Sequence, residues 1–240
     1  YFTEEKRPVV NQKFLGASAN NSFADITIII DRKPSMKVYE SQLNSSVREL
    51  ASCMDPRTTL RIVSAGQIPA LEYVGSPNGA KQFSVAGLKT GYANNVPMDL
   101  AVRLAANDLI NAEKKRAIIF ISDGDITQNS FDKYSLNEMT SYLNNNFISF
   151  LMIQVEQKAI DDSLDYLVKN TNGTEYFMFR PEGLSKIIKD IVEIPSGVYT
   201  FSYTSTLGTN FGEKYLPIEV EVYLMNRSGR DESGYFAPLQ

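Results

Sequence analysis

Acidic residues stand at the ends of two strongly apolar stretches of the sequence. The first stretch runs from Ile26 to Asp31 (ITIIID), and the second runs from Ala117 to Asp125 (AIIFISDGD). Both have the pattern of strands that are buried on both faces of a mostly parallel sheet. Because such sheets bind ligands at the carboxyl ends of their strands, Asp31, Asp123 and Asp125 are candidates for one shared site.

The composition limits the chemistry open to this site. The chain has no histidine and one cysteine, which excludes Ser-His-Asp and Cys-His catalysis and any imidazole metal site. We expect that cysteine, Cys53, to be a small buried residue of a helix. A net charge of -4 with no basic run argues against nucleic acid as a partner. No apolar run reaches the ~18 residues of a membrane span, so we expect no membrane insertion by this segment.

Strands and helices alternate from residue 23 to residue 195. Apolar runs predict strands, and apolar stripes at helical spacing predict the helices between them. This alternation predicts a doubly wound α/β domain, with a mostly parallel sheet and helices on both faces. Three residues, 65–67, join the second and third strands, so these strands should form an antiparallel hairpin at the sheet edge. Residues 76–95 are predicted to be a long loop that can contain a short element at Phe83–Val85.

The pattern changes beyond Pro195, where the apolar period falls from 3.6 to 2. The segments GVYTFSYTS and LPIEVEVYL predict two long strands, so residues 196–240 should form a small β-strand extension. The polar run that begins at Arg227 is predicted to be a solvated turn. Residues 1–22 form a lead-in that can add one strand to the extension.

This order of elements resembles the von Willebrand factor A (VWA) domains, of bacterial type, over roughly residues 23–195. Members of that family often hold Mg²⁺ at a metal-ion-dependent adhesion site. The ligands come from a D-x-S-x-S turn, from a threonine in a middle loop and from an aspartate after a later strand, and a carboxylate of the partner completes the shell. Oxygen ligands with exchangeable waters suit Mg²⁺.

The first part of that motif is incomplete in this chain, whereas its last part is intact. Asp31 and Ser35 match the turn and Asp123 matches the later acid, so the resemblance implies these three as ligands if a metal is bound. Lys33 stands where the first serine would be. A lysine ammonium among the metal's ligands would repel the metal ion. At 4 Å and an effective dielectric near 20, this Coulomb repulsion is ~4 kcal/mol for each unit of charge on the metal. Three arrangements are open: a Lys33 salt bridge replaces the metal, a weakened metal site persists, or Lys33 extends into solvent.

The middle loop also departs from the motif. Val96 occupies the position of the threonine, although Asn94, Asn95 and Thr90 lie close enough in sequence to substitute for it. The candidate ligand-binding site therefore contains Asn94, Asn95 and Val96 of this loop, together with Asp31, Lys33, Ser35, Asp123 and Asp125. We expect no cofactor at this degenerate site. The alternative is that the site binds Mg²⁺.

The resemblance implies a protein-protein interaction or adhesion module of a larger bacterial protein, in the periplasm or at the cell surface. Its partner would be a protein that contacts residues 31–35, 94–96 and 123–127. The competing class is an enzyme, because a strand ending in Asp is also typical of haloacid-dehalogenase-type phosphatases. That family needs a second Asp where this chain has Lys33, so we expect a module without enzymatic activity.

Overall fold

The computed structural model of the chain describes residues 1–17, 23–112, 114–194, 199–208, 215–224 and 227–236. It divides into two compact units. One spans Ala19–Gly197 and is called the α/β unit below; the other combines Tyr1–Ser18 with Val198–Gln240 and is called the β unit.

The strands and helices follow one another with short connections. In chain order, the described strands are β1 (Phe2–Glu4), β2 (Arg7–Pro8), β3 (Val10–Ala17), β4 (Ala24–Asp31), β5 (Leu60–Ala65), β6 (Ala70–Gly75), β7 (Lys115–Ser122), β8 (Ile148–Gln154), β9 (Glu175–Phe177), β10 (Tyr199–Thr204), β11 (Tyr215–Leu224) and β12 (Arg227–Phe236). The α-helices are α1 (Glu40–Cys53), α2 (Pro77–Ala80), α3 (Met98–Asn107), α4 (Leu136–Asn145), α5 (Asp162–Asn170) and α6 (Ser185–Glu193), with 3-10 turns at Pro34–Tyr39 and Val85–Gly87.

The α/β unit is built on a six-stranded sheet with β4 in its interior. The strand order is β6-β5-β4-β7-β8-β9, and every neighbouring pair is parallel except β5 with β6. In the register, Ile28 of β4 lies between Ile62 of β5 and Ile119 of β7. The predicted mostly parallel sheet with an antiparallel edge strand is therefore confirmed.

Helices cover both faces of this sheet, because the strand residues alternate between two separate cores. Ile28 and Ile30 pack on one side with residues of α1 and α6, and Ile29 packs on the other with residues of α3, α4 and α5. The buried hydroxyl of Thr27 donates to the carbonyl oxygen of Ala105 at 3.0 Å, so the polar group on β4 is also satisfied. The burial on both faces explains why β4 carries an uninterrupted apolar run.

One local prediction in the α/β unit is wrong, and a second is incomplete. Cys53 is exposed rather than part of the core, because it lies to one side of the apolar stripe by which Leu43, Val47 and Leu50 bury α1. The segment 76–95 contains α2, which was not predicted, and the 3-10 turn Val85–Gly87, which overlaps the short element predicted at Phe83–Val85. A proline at the first turn of α2 favours this helix start, because its fixed φ suits a helix and its missing N–H is not needed there.

The β unit contains a four-stranded antiparallel sheet with the order β12-β11-β1-β2 and a two-stranded pair of β10 with β3. The predicted solvated turn at Arg227 is wrong, because this segment is the start of strand β12, which pairs with β11 along its whole length. Its charged residues concealed the strand, although charges are common on strands at a sheet edge.

One buried carboxylate joins three strands of the β unit. Glu4 of β1 is 3% exposed, and it accepts hydrogen bonds from the hydroxyls of Tyr203 (3.3 Å), Ser205 (2.5 Å) and Tyr235 (2.6 Å). These donors come from β10, from the residues that follow it, and from β12. The lead-in thus supplies a central hydrogen-bonding group as well as strands to this unit.

Among the described parts of the chain, no helix has both the length and the apolar composition that crossing a membrane requires.

Candidate functional site

The topology of the sheet brings the two acidic strand ends together. Asp31 is the last residue of β4, and Asp123 directly follows β7. These strands are parallel neighbours that pair Ile30 with Ile121, so their carboxyl ends lie side by side at one edge of the sheet. The side chains of Asp31 and Asp123 are 1% and 3% exposed.

The ammonium of Lys33 lies between these carboxylates. Its Nζ is 2.5 Å from Asp123 Oδ1, 2.5 Å from the carbonyl oxygen of Asp125 and 3.4 Å from Asp31 Oδ2. Lys33 is only 8% exposed, so it points into the site and does not extend into solvent. The three N–H donors of the ammonium thus face three acceptors.

Serine hydroxyls and backbone amides complete the arrangement. Ser35 Oγ donates to Asp123 Oδ2 at 2.5 Å, and Ser122 Oγ donates to Asp31 Oδ2 at 2.7 Å. The amide of Lys33 donates to Asp31 Oδ1, and the amide of Asp125 donates to Asp123 Oδ1, both at 3.0 Å. Each of the four carboxylate oxygens therefore accepts at least one hydrogen bond, as a stable buried polar network requires.

We call the side chains of residues 31, 33, 35, 122 and 123 the lysine-centred cluster. Ser122 was not among the predicted site residues. Its signal in the sequence was its place at the end of an apolar strand, directly before Asp123, where a polar side chain shares the sheet edge with the acids.

The two carboxyl groups of the cluster differ in their pKa. Burial raises the pKa of Asp31 to about 6, and the nearby Lys33 and the hydrogen bond from Ser122 only partly oppose this. Burial also acts to raise the pKa of Asp123, but the hydrogen bonds from Lys33, Ser35 and the amide of Asp125 together outweigh it, so this pKa lies below its usual value. Lys33 therefore pairs with an ionised Asp123 over a wider pH range than with an ionised Asp31.

This difference predicts a pH-dependent stability. The pKa of Asp31 is 3.8 in an unfolded chain and about 6 in the fold, so between these values the folded state holds a proton that the unfolded state has released. We expect this group to make the free energy of unfolding fall as the pH rises from about 4 to about 6, by up to ~1.4 kcal/mol per pH unit. Urea unfolding at several pH values measures how steeply the free energy of unfolding falls with pH. Asp31→Asn should remove this pH dependence, whereas the control Asp132→Asn, at an exposed residue, should keep it.

An unchanged pH dependence in Asp31→Asn contradicts the assignment of the effect to Asp31.

The residues present do not suit a divalent metal ion. The space that a metal bound to both carboxylates would use holds the ammonium of Lys33, 2.5 Å from one of the oxygens. The donor set is therefore that of an internal ion pair.

The predicted middle-loop residues lie outside the cluster. Val96 is 4% exposed, and its backbone N–H and C=O both bond to the hydroxyl of Thr127 at 3.1 Å. Asn94 and Asn95 are exposed, and neither has a hydrogen bond to the cluster in the described part of the chain. Thr90 packs instead against Gly66 at the end of β5. No hydroxyl of this loop substitutes for the missing threonine.

Asp125 connects the lysine-centred cluster to charged side chains at the surface. Its backbone carbonyl accepts from Lys33, while its carboxylate pairs with Lys158 at 2.7 Å. Lys158 also lies 3.1 Å from Glu156, which accepts a hydrogen bond from Tyr39 at 3.2 Å. The hydrogen bond that Lys158 donates to Asp125 raises the pKa of Lys158. The contacts among Tyr39, Glu156, Lys158 and Asp125 were not predicted, because these residues follow three different strands (β4, β8 and β7) and approach one another only in the fold.

Arg32 was also missed by sequence reasoning. It is 5% exposed, its guanidinium stacks 3.7 Å above the ring of Tyr92, and its Nη1 lies 3.9 Å from Glu40. Its carbonyl oxygen accepts from the amide of Ala93 at 2.8 Å. Arg32 thus fixes the middle loop against the first turn of the site.

No protein-family model and no curated protein matches the sequence. Similar solved structures include an aerotolerance-related membrane protein from Bacteroides fragilis (TM-score 0.54, 15% identity, covering 70% of this chain and 98% of that one) and a von Willebrand factor type A protein from Catenulispora acidiphila (0.57, 13%, 82% and 52%). A third is proximal thread matrix protein 1 from the mussel byssus with a zinc-occupied adhesion-site motif (0.54, 13%, 80% and 49%). The chain spans about half the length of the last two proteins.

Proposed function

Because the chain has the VWA-like fold that its sequence predicted, we propose that it is a protein-interaction or adhesion module of a larger bacterial protein. The contact surface in this proposal is the binding face, which we define as residues 31–35, 94–96 and 123–127. It lies at the carboxyl end of the sheet, where ligands of open α/β sheets bind. The proposed location is the periplasm or the cell surface, with which a single cysteine is compatible.

We propose further that this contact does not need a metal. The observation that carries this step is the position of the Lys33 ammonium, 2.5 Å from Asp123 and 3.4 Å from Asp31. The lysine supplies inside the chain the positive charge that buried carboxylates require. A weakened Mg²⁺ site is the alternative, and it would require Lys33 to leave the cluster.

An enzymatic role fits the site less well. In a haloacid-dehalogenase-type phosphatase, Asp31 would be the nucleophile, yet here it is 1% exposed and both of its oxygens accept hydrogen bonds. A nucleophile must reach its substrate. Lys33 also stands where the general acid would be, so we propose that the module has no phosphatase activity.

Calorimetric titration tests the metal-free proposal. We expect MgCl₂ and MnCl₂ to give no binding heat with the full chain up to millimolar concentrations, because Lys33 opposes a dication by Coulomb repulsion. Binding of either ion with micromolar affinity contradicts the proposal.

The location of the binding face is tested with a probe that needs no known partner. Peptides are selected on the full chain from a random displayed library in EDTA. We expect them to shift the amide NMR signals of the binding face and to bind with the same affinity when Mg²⁺ is added. Shifts confined to the β unit, or to the amino ends of β4 and β7, would place the interaction elsewhere.

A further inference from the structure

A small cavity opens on one face of the four-stranded sheet in the β unit. Its volume is about 330 Å³, at the lower end of the ~300–1,000 Å³ range of small-molecule sites. Thr3 of β1, Glu219 of β11 and Glu232 of β12 line it, and the register places these residues directly opposite one another across the three strands. Because side chains alternate between the two faces of a sheet, they share the face that Phe2 and Glu4 do not occupy.

The floor of this cavity holds a polar group without a partner. Thr3 is 6% exposed, and its hydroxyl oxygen is buried and has no hydrogen-bond partner in the described part of the chain. A buried hydroxyl without a hydrogen bond is costly, so its presence in a folded protein calls for an explanation. Because this hydroxyl belongs to the lining of a cavity, a ligand in the cavity is in a position to supply the hydrogen bond.

Charged side chains form the walls of the cavity, and their charges balance. Arg230 Nη2 donates to Glu219 Oε2 and to Glu232 Oε1, both at 2.8 Å, and Lys6 adds a second positive charge. Two cations thus face two carboxylates, so the cavity favours a neutral ligand over an anion or a cation. The side chains of Arg230 and Glu232 are 56% and 70% exposed, so their ion pair costs little to rearrange around a ligand.

Tyr215 adds an aromatic surface to the cavity. Its ring lies over Gly234 of the neighbouring strand, where a Cβ would strike the ring atoms, and the residue is 51% exposed. Pro217 lines the cavity on the same face of β11. The ring and the proline offer apolar contact, while the carboxylates accept hydrogen bonds and the two cations donate them. A hydroxyl group both donates and accepts, so a ring with adjacent hydroxyl groups and C–H faces matches this combination.

We propose that this cavity is a saccharide-binding site, which takes one or two neutral sugar rings. The Thr3 hydroxyl, the two carboxylates and the two cations bond the sugar hydroxyls, and the Tyr215 ring packs on a C–H face of a sugar. The site goes beyond the proposed function, because it lies in the β unit, whereas the binding face belongs to the α/β unit.

The test titrates the full chain with six neutral sugars: glucose, galactose, N-acetylglucosamine, cellobiose, lactose and N,N′-diacetylchitobiose. Amide NMR signals report both the site and the affinity. We expect at least one sugar to bind with a millimolar or lower Kd and to shift the signals of β1, β11 and β12. Sodium acetate and ethylammonium chloride should leave these signals unchanged, since the charges of the cavity walls balance.

Thr3→Val separates a binding role from a purely structural one. Valine keeps the shape of threonine but lacks the hydroxyl, so the affinity for the sugar should fall about tenfold. The urea midpoint should stay the same or rise, because the hydroxyl has no hydrogen bond to lose. The matched control is Thr204→Val, at an exposed residue of β10 in the same unit, and it should leave the affinity unchanged.

Lys6→Gly gives a second way to separate binding from stability. Lys6 has a φ of 62° in the two-residue turn that joins β1 to β2, a backbone conformation that glycine adopts without strain. The variant should therefore have a higher urea midpoint than the wild type, yet bind the sugar severalfold more weakly.

The possible outcomes are distinct. Failure of all six sugars to bind overturns the inference, and so do shifts confined to the α/β unit. Equal affinities of Thr3→Val and the wild type overturn the role of the buried hydroxyl. Binding of acetate or ethylammonium in place of the sugars overturns the class of ligand. Each of these results leaves the test of the binding face unaffected.

Discussion

Lys33→Met is expected to lower the free energy of unfolding by about 3–5 kcal/mol, the usual cost of removing one partner of a buried ion pair. Methionine fills much of the volume of lysine but carries no charge. Asp31 and Asp123, which are 1% and 3% exposed, would then be buried together without a counter-charge. Protonation relieves this repulsion, so the loss should be larger at pH 7.5 than at pH 5. Urea unfolding followed by circular dichroism at both pH values measures it.

The control for this variant comes from the same segment. Lys37 is exposed in the turn that follows β4, so Lys37→Met should change the stability by less than about 0.5 kcal/mol. Lys33→Met with Asp123→Asn should cost less than the sum of the single changes, since the double variant removes both charges of the pair. A cost below about 1 kcal/mol for Lys33→Met would show that the ion pair does not stabilise the fold.

Local patterns were sufficient to predict the α/β fold. The apolar run of β4 and its repetition in β7 predicted strands buried on both faces, and the three-residue connection of β5 to β6 predicted the antiparallel edge. Both features depend on short-range sequence, which is why they could be predicted. The same reasoning placed Asp31 and Asp123 at one edge, because parallel neighbours end together.

Features that depend on contacts distant in sequence could not be predicted in this way. The direction of Lys33 is set by an aspartate 90 residues away, and the position of Arg32 is set by Tyr92. The sequence predicted that Val96 takes the position of the threonine, but nothing in its neighbourhood showed that Thr127 would bond to its backbone. Strand β12 was missed for the same reason, since only pairing with β11 gives its polar residues an extended conformation.

Lys33→Ser combined with Val96→Thr is expected to create a divalent-metal site at the lysine-centred cluster. The first change removes the ammonium and restores the D-x-S-x-S turn; the second adds the hydroxyl of the middle loop, at a side chain that is 4% exposed. The oxygens of Asp31, Ser35 and Asp123 would then lack their central cation, and hard oxygen donors around such a space suit Mg²⁺ and Mn²⁺. The wild type is titrated with Mg²⁺ up to a concentration at which it still shows no binding heat. We expect calorimetry to give the double variant a Kd at least 100-fold below that concentration. At 100 times the Kd, the metal should stabilise the variant by ~2.7 kcal/mol relative to EDTA.

The metal affinities of the two single variants identify which residue excludes the metal. If the ammonium is the main obstacle, Lys33→Ser alone should bind Mn²⁺ weakly, whereas Val96→Thr alone should not bind it, because Lys33 still lies 2.5 Å from Asp123. Adding Asp123→Asn to the double variant should abolish binding, since it removes a charged ligand but keeps the shape of the side chain. A folded double variant that binds neither ion would show that the site has lost more than Lys33 and Val96 explain. Equal binding by wild type and double variant would instead show that the lysine leaves the cluster when metal is present, and would contradict the proposed exclusion of the metal by Lys33.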